Sequence, residues 1–433
     1  MSDYLRSVDA ALERLRAYHP KLIDLSLGRI LRLLEAMGRP QERLPPTVHV
    51  AGTNGKGSTV ALLRAMAEAD GRAVHVFTSP HLVRFAERIR LAGTLIGDDS
   101  LADILSQVEG ANAGGPVTFF EITTAAALLA FSETPADLLL LEVGLGGRWD
   151  ATNVISSPVM SLITPVDLDH REFLGDTVEQ IAAEKTGVLK PGRPGVIGRQ
   201  SGAALDVIEA EAARIGAPLS VMGRDFDGWM QHGRFAFQDE AGLLDLPAPA
   251  LPGAHQADNA ALAVAAARAL RVPDEAIAAG LAAAIHPARL QRLTAGPLGV
   301  IARARGADLW LDGAHNPHGA RALAAWLEAR RRVDGRPVTL VSGLLANKDA
   351  VAFFEAFAPM RPHMVAAPFE AASARPPAEL AAAAEAAGLS ASIAPSLTAA
   401  VETAAASGGR VVICGSLYLA GEALALTPET WPR

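Results

Sequence analysis

The sequence predicts an α/β protein of two domains, each built around a largely parallel sheet. Three observations carry this. The chain is 433 residues long, it holds a strand–glycine loop–helix unit near its start, and apolar strand candidates alternate with helical segments in two separate series. A length of this kind exceeds what one core usually organises, so two domains are expected. The expected division is 1–293 and 298–433.

The first series opens with Val48-His49-Val50, a short extended run, followed by a loop over 52–57. Residues 58–69 are rich in helix formers and stop at Gly71, a C-terminal cap signal. A second strand is expected over 73–77. Leu138-Leu139-Leu140-Leu141 is apolar on both faces, as a central parallel strand requires. Further strands are expected over 158–164 and 194–197. The second series begins near Leu298, with strands over 309–311, 338–341, 363–365 and 411–413 separated by Ala-rich helices. Residues 287–297 read as the connection, and the Ala-rich tract 381–387 reads as a surface helix. No repeat of solenoid period is present.

Composition narrows the class. Half the residues are hydrophobic, a fifth are charged, and the formal net charge is −8. That is a globular composition without the basic face that a nucleic-acid partner calls for. Cys414 is the single cysteine, so neither an intrachain disulfide nor a Cys-rich zinc site is expected. The first residues lack a basic start with an apolar signal core, and no run of about 18 apolar residues occurs. A cytoplasmic protein with no membrane partner is the expectation, and a monomer satisfies everything in the chain.

The most specific motif is Gly52-Thr53-Asn54-Gly55-Lys56-Gly57-Ser58 between a strand and a helix. Glycines let successive N–H groups point inward, the helix N-terminus adds positive potential, and Lys56 can reach terminal phosphates. An ordinary glycine-rich turn is the plain alternative. In the general phosphate loop the residue after the lysine is Ser or Thr, whose hydroxyl binds Mg²⁺. Here it is Gly57, so metal ligands are expected from elsewhere. In an open parallel sheet they gather beyond the carboxyl ends of strands. Ser79, Glu142 and His170 (beside Asp167 and Asp169) each follow such an end. Hydroxyl and carboxylate oxygens suit Mg²⁺, and a histidine is the less typical member.

Lys185 is the anomaly. A helix over about 177–189 carries Val178, Ile181, Ala182, Val188 and Leu189 at the spacing of a buried stripe, and Lys185 falls on it. The plain reading is a lysine at the stripe's edge whose amine reaches water. The sharper one is a buried amine of lowered pKa that could react with CO₂ to give a carbamate.

Together these motifs resemble the folylpolyglutamate synthases, and more narrowly the bacterial bifunctional form with dihydrofolate synthase activity, within the Mur-type amide ligases. The matching stretches are 49–58, Thr78-Ser79-Pro80-His81-Leu82, 141–153 with Gly144-Leu145-Gly146-Gly147-Arg148-Trp149-Asp150-Ala151-Thr152-Asn153, Leu168-Asp169-His170, Glu184-Lys185-Thr186-Gly187 and Leu311-Asp312-Gly313-Ala314-His315-Asn316-Pro317-His318. They run in order through nearly the whole chain.

The resemblance implies a phosphate-loop ATPase-like first domain and a smaller Rossmann-like second one. It implies ATP held by Asn54, Gly55, Lys56, Gly57, Ser58, Asn259, Arg289 and Asp312. Two Mg²⁺ ions would be held through Ser79, Glu142 and His170, with an N6-carboxylated Lys185. His315 would share the Asp312 loop. Lys56, Glu142, His170, Lys185, Asp312 and His315 are thus the expected catalytic set. A pteroyl pocket maps to Ile23, Asp24, Leu25, Ser26, Thr118, Phe119, Phe120, Glu121, Trp149, Asp150 and Ala151. Phe119 and Phe120 could offer flat apolar surface, and Glu121 and Asp150 could accept N–H donors. Trp149 stands where the family has a smaller aliphatic residue.

The implied activity is ATP-dependent addition of L-glutamate to dihydropteroate and to tetrahydrofolate polyglutamates through an acyl phosphate. The alternatives are the second activity alone, or a Mur-type ligase acting on a nucleotide-sugar precursor. Those relatives carry Thr after the loop lysine and an extra N-terminal domain. A phosphate-loop switch would leave Lys185 and the second domain without a purpose.

Overall fold

The structure, a computed structural model, describes residues 3–16, 18 and 24–432. The chain forms two compact units. The first comprises Met1–Pro80, Ala86–Ala250 and Ala257–Ile285, and the second His81–Phe85, Leu251–Gln256 and His286–Arg433.

In the first unit, α1 (Asp3–Arg16) and α2 (Gly28–Ala36) precede β1 (Thr47–Ala51), α3 (Lys56–Ala69) and β2 (Val74–Phe77). The short strands β3 (Ile89–Leu91) and β4 (Thr94–Leu95) follow, then α4 (Asp98–Asn112), α5 (Phe119–Glu133), β5 (Leu138–Glu142) and β6 (Met160–Ile163). After these come α6 (Arg171–Leu174), α7 (Val178–Lys185), β7 (Gly195–Ile197), α8 (Gly202–Ile215) and β8 (Leu219–Val221). A three-stranded antiparallel sheet, β9 (Asp227–Gln231), β10 (Arg234–Asp239) and β11 (Gly242–Leu246), leads to α9 (His255–Ala269) and α10 (Asp274–Ala283).

The main sheet runs β4-β3-β2-β5-β1-β6-β7-β8, parallel from β2 to β8 and antiparallel at β3 and β4. β1 and β5 are buried along their whole length, which explains the unbroken apolar run Leu138–Leu141 of β5. Ile181, Ala182 and Val188 pack with Ile163, Ile197 and Ile208 in one core cluster, seating α7 and α8 on the sheet. The helix expected over 177–189 ends at Lys185 and continues as a single 3₁₀ turn, Thr186–Val188. The sequence reading had no signal for the β9–β11 sheet or for the edge strands β3 and β4.

The second unit holds β12 (Gln291–Arg292), α11 (Gly296–Ala304), β13 (Asp308–Leu311), α12 (Pro317–Asp334), β14 (Val338–Ser342) and α13 (Ala350–Glu355). It ends with β15 (His363–Ala366), α14 (Pro377–Ala386), β16 (Ser390–Ile393), α15 (Leu397–Ala405), β17 (Arg410–Cys414) and α16 (Leu417–Ala425). Its sheet order is β12-β13-β17-β14-β15-β16, with only β12 antiparallel. One core gathers Leu323, Leu327, Phe353, Phe354 and Leu380, the other Leu298, Leu397, Val401, Leu419 and Leu424. Helices therefore cover both faces of the sheet, the doubly wound arrangement.

Residues 287–297, expected as a connection between domains 1–293 and 298–433, belong to the second unit. Gln291 and Arg292 pair with Leu311 and Trp310, and Ala288, Leu290 and Leu293 sit in that unit's cores. The tract 381–387 is half-sunk rather than a surface feature, since Ala381 and Ala384 of α14 are buried. Among the described residues, no helix is long and apolar enough to cross a membrane.

Candidate active site

β1 ends at Ala51 and α3 starts at Lys56, so the turn between them is four residues long. Gly52 and Gly55 have φ of 141° and 92°, backbone that disfavours side chains. A Cβ on Gly52 would lie 1.8 Å from Thr164 Oγ1, and one on Gly55 2.3 Å from Asn259 Oδ1. Glycine is therefore required twice, and Asn259, buried in α9, packs directly on the loop. Thr53 N donates to Pro165 O over 3.0 Å, and Thr53 Oγ1 donates to Asp167 O over 3.0 Å. The loop is thus fastened to the segment that follows β6. Lys56 Nζ folds back onto Gly52 O at 3.1 Å and Thr53 O at 3.3 Å. α3 begins at Lys56, and a helix N-terminus of this kind presents backbone N–H groups and positive potential suited to an anion.

Ser79 follows β2, Glu142 is the last residue of β5, and His170 lies in the loop after β6. Ser79 N donates to Glu142 Oε2 over 3.4 Å, so these two neighbouring strand ends meet. Glu142 is buried, and His170 adopts a left-handed backbone (φ 50°) with Nε2 3.9 Å from Asp169 Oδ2. Among the described residues no three His, Cys, Asp or Glu side chains gather as a metal cage. A hydroxyl and a buried carboxylate at adjacent strand ends, beside a polyphosphate cradle, fit a hard divalent cation that keeps phosphate and water ligands.

Lys185 does not reach water. It is 4% exposed and Nζ donates to Gly52 O over 2.9 Å. Burial, with Lys56 nearby, lowers its pKa to about 7 against the opposing pull of Asp169 and Asp150. The loop 144–153 holds this helix end. Arg148 N donates to Glu184 O over 2.8 Å, and Asn153 Nδ2 donates to Arg148 O and Gly187 O over 2.9 and 3.1 Å. Lys190 Nζ in turn donates to Asn153 Oδ1 over 2.8 Å.

Of the expected pteroyl residues, Ile23 lies outside the described residues. Asp24, Leu25 and Ser26 are half-buried just before α2. Thr118 caps α5, and with Glu121 it completes a reciprocal capping box. Phe120 stands 6.2 Å from Phe77 and leaves no room for a Cβ on Gly144, while Arg16 lies 5.1 Å over the Phe119 ring. Trp149 is 47% exposed and Ala151 is buried.

Asp150 does not stand open as the acceptor expected of it. It is 2% exposed, its Oδ2 takes Leu145 N over 2.8 Å, and its Oδ1 takes Thr152 N and Thr152 Oγ1 over 3.0 and 2.5 Å. Burial raises its pKa despite those donors. Thr152 Oγ1, having given its proton to Asp150, accepts from His49 Nε2 at 2.9 Å. His49 is fully buried on β1, and burial, aided by Lys190, pulls its pKa down to about 3.

The second unit brings together Arg289, Asp312 and His315. Asp312 follows β13, and its carboxylate accepts from Leu290 N and Ala314 N, both over 2.9 Å. His315 Nδ1 donates to Gly313 O over 2.8 Å, and Asn316 caps α12 through Gly319 N. Ala288 and Leu290 on either side of Arg289 have φ of 55° and 45°. Such strain persists where the surroundings over-determine it. The guanidinium lies against Gly313, where a Cβ would come within 2.4 Å of Nη1.

Known proteins share this fold. The Escherichia coli (strain K12) dihydrofolate synthase/folylpolyglutamate synthase is 36% identical over 341 residues, 78% of this chain and 76% of that protein. The chain belongs to the dihydrofolate synthase/folylpolyglutamate synthase family. A family model described as dihydrofolate synthetase, C-terminal domain, matches residues 302–426. The structure of E. coli FolC in complex with DHPP and ADP superposes with a TM-score of 0.85 at 31% identity, covering 96% of each chain. A bifunctional folylpolyglutamate synthase/dihydrofolate synthase with Mn, AMPPNP and L-glutamate bound superposes at 0.83 and 32%, covering 96% of this chain and 97% of that one.

Several contacts near these residues are not visible in the sequence. Arg29 reads as a surface charge of a helix, and its partners are distant in sequence. His49 and Thr152 sit within quoted motifs, but only the pairing of β1 with β5 and the fold of the 144–153 loop reveal that they touch.

Proposed function

We propose that the protein is an ATP-dependent ligase joining L-glutamate to dihydropteroate and to tetrahydrofolate polyglutamates. The observation that carries this reading is the phosphate loop with two lysines, Lys56 and the buried Lys185, on one carbonyl oxygen. That arrangement, within a family whose solved members bind ADP, AMPPNP, Mn and L-glutamate, supports a ligase over a simple nucleotide switch.

A carboxylate is a poor acyl donor because an attacking amine would have to expel oxide. Transfer of the γ-phosphoryl group of ATP to the carboxylate oxygen gives an acyl phosphate and ADP. The glutamate amine then attacks the acyl carbon, and phosphate leaves as the amide forms. Most of what the chain must do is position groups and neutralise charge.

Asn54, Gly55, Gly57 and Ser58 would line the phosphates, with Lys56 swinging from Gly52 O to the γ-phosphate. Asn259 would border the same nucleotide. Ser79, Glu142 and His170 would hold divalent cations, two Mg²⁺ in this reading, whose charge offsets that of the transferring phosphoryl group. Lys185, as its carbamate, would add oxygen ligands where the unmodified amine adds a cation. By resemblance the reading keeps Arg289, Asp312 and His315 as nucleotide residues, and it assigns the residues 24–26, 118–121 and 149–151 to the pteroyl group. It needs no second copy of the chain and is set in the cytoplasm, where ATP and L-glutamate are available.

The test is purified protein with ATP, Mg²⁺, L-glutamate and either dihydropteroate or tetrahydrofolate, followed for ADP and for the new amide. Amide formation with both confirms the dual activity. Product with tetrahydrofolate alone would restrict the protein to polyglutamylation. ADP release that needs neither pteroyl substrate would overturn the ligase reading.

A further inference from the structure

Arg29 joins two stretches of the first unit that are far apart in sequence. It is the second residue of α2, and its guanidinium makes three bonds. Nε donates to Glu121 Oε2 over 3.0 Å, Nη1 to Asp24 Oδ2 over 3.1 Å, and Nη2 to Asp24 O over 2.5 Å. Ser26 Oγ accepts from Gly28 N at 3.3 Å, which folds the Asp24–Ser26 stretch back onto the helix start. One planar fork thus ties the segment before α2 to the first turn of α5. A lysine ammonium has no such fork and cannot span two carboxylates in a fixed plane.

Glu121 is the more constrained partner. It is 3% exposed, and a buried carboxylate is costly unless paired and hydrogen-bonded. Oε2 takes both Arg29 Nε and Thr118 N, the latter over 2.7 Å. Among the described residues Oε1 is buried without a hydrogen-bond partner. A buried acceptor in that state calls for a donor from outside the fold. The carboxylate cannot turn to satisfy both oxygens, because turning would break its bonds to Arg29 and to the cap of α5.

We propose that Arg29 is a positioning residue for the pteroyl substrate. It fixes the Glu121 carboxylate so that Oε1 alone is offered to an N–H donor of the substrate's heterocycle, and it holds residues 24–26 at the same helix end. The proposal rests on the pteroyl reading above. Arg29 acts through Glu121 and Asp24 and touches no reacting atom. Its loss therefore falls on the affinity for one substrate, with ATP and L-glutamate unaffected.

The experiment compares steady-state kinetics of the wild type, Arg29→Met, Arg29→Lys, Glu121→Gln and the double variant Arg29→Met/Glu121→Gln. Arg29→Met should raise KM for dihydropteroate and tetrahydrofolate about tenfold or more, the scale of a lost charged hydrogen bond. KM for ATP and for L-glutamate should stay within about twofold, and Arg29→Lys should recover only part of the loss. The double variant should match Glu121→Gln, because a neutral side chain at 121 no longer depends on the guanidinium. An unchanged pteroyl KM, an equal rise in the ATP KM, or additive effects in the double variant would overturn the proposal. Failure of both Arg29→Met and Arg29→Lys to fold would assign Arg29 to the fold and overturn it as well. Wild-type protein that neither binds nor consumes either pteroyl compound would remove the functional reading and this proposal together. Normal wild-type turnover with an unaltered Arg29→Met would remove the proposal alone.

Discussion

Lys185 Nζ donates to the Gly52 carbonyl oxygen over 2.9 Å, so the end of α7 is bonded to the first residue of the phosphate loop. Lys56 Nζ reaches the same oxygen at 3.1 Å. Burial, with the Lys56 amine nearby, disfavours the charged form of Lys185. With a pKa of about 7, Lys185 gives up its proton far more readily near neutral pH than an ordinary lysine, which is almost wholly charged there. That free base is what carbamate formation requires, and the bond to Gly52 O puts it beside the glycine loop.

The lowered pKa makes stability depend on pH with a definite sign. The folded state releases this proton near pH 7, while the unfolded chain holds it to about 10.4. Between those limits the unfolded state binds more protons, so stability rises with pH, and below about 7 the buried charge is a full liability. Lys185→Met should accordingly be more stable than the wild type at pH 6, with the difference shrinking towards pH 10. Urea denaturation of both proteins at pH 6, 8 and 10 measures it, and a difference that stays flat would refute the lowered pKa.

Removing the amine should also stop the chemistry. If carbamate oxygens support the cation, Lys185→Ala should lose activity by about 10²–10³-fold, the scale of a missing electrostatic contact in the transition state. Added acetate should return part of it by supplying a carboxylate to the vacated space. ADP release with and without acetate, alongside mass spectrometry of the wild type for the carbamate, decides this. Full activity in the variant would end the idea.

The His49–Thr152–Asp150 chain links β1, directly before the phosphate loop, to the loop that holds Lys185 in place. Thr152→Val keeps the shape but removes the shared hydroxyl, leaving Asp150 Oδ1 with one donor fewer and His49 Nε2 with no acceptor. His49 Nδ1 has no partner among the described residues, so within them the imidazole would be left unsatisfied. A cost of about 2–3 kcal/mol is expected, with Thr152→Ser within about 1 kcal/mol of the wild type. Denaturant midpoints of the two variants test the hydroxyl's role directly.

The sequence disclosed the features that local chemistry alone determines. Gly52, Gly55 and Lys56 fall between a strand and a helix, and Ser79, Glu142 and His170 follow strand ends, so a reader of the chain finds the same corner of the sheet as the structure does. Lys185 stood out on an apolar stripe, yet whether it lay at the edge or the centre depends on what covers it. The covering loop, 144–153, lies earlier in the chain and is held by Arg148 N on Glu184 O and by the Asn153 amide on Arg148 O, contacts that residue spacing does not reveal. Arg29 was illegible for the same reason, since its partner Glu121 is 92 positions distant. The β9–β11 sheet was missed because only one strand of it is well buried. Phe235 and Phe237 point inward while Trp229, Met230 and Leu243 are exposed, and that blurs the alternation.

Close packing between the loop and the helix end offers the last test. A Cβ on Gly187 would lie 2.3 Å from Arg148 Cα and 2.7 Å from Arg148 N, a clash with backbone that no rotamer relieves. Gly187→Ala must therefore lift the 144–153 loop from the 3₁₀ turn, loosening the Asn153 bond to Gly187 O. Destabilisation of about 1–3 kcal/mol is expected. Gly202→Ala is the control, because it sits in the first turn of α8 with nothing within 4 Å of the added methyl, and it should be neutral or stabilise by about 0.4–1 kcal/mol. Loosening the loop also lets water reach Lys185, which reduces the burial that holds its pKa down. The pH dependence of stability in Gly187→Ala should then flatten between pH 7 and 10 relative to Gly202→Ala, as expected for a group returning to its ordinary pKa. Equal pH dependence in the two variants would mean that the loop does not keep this lysine dry.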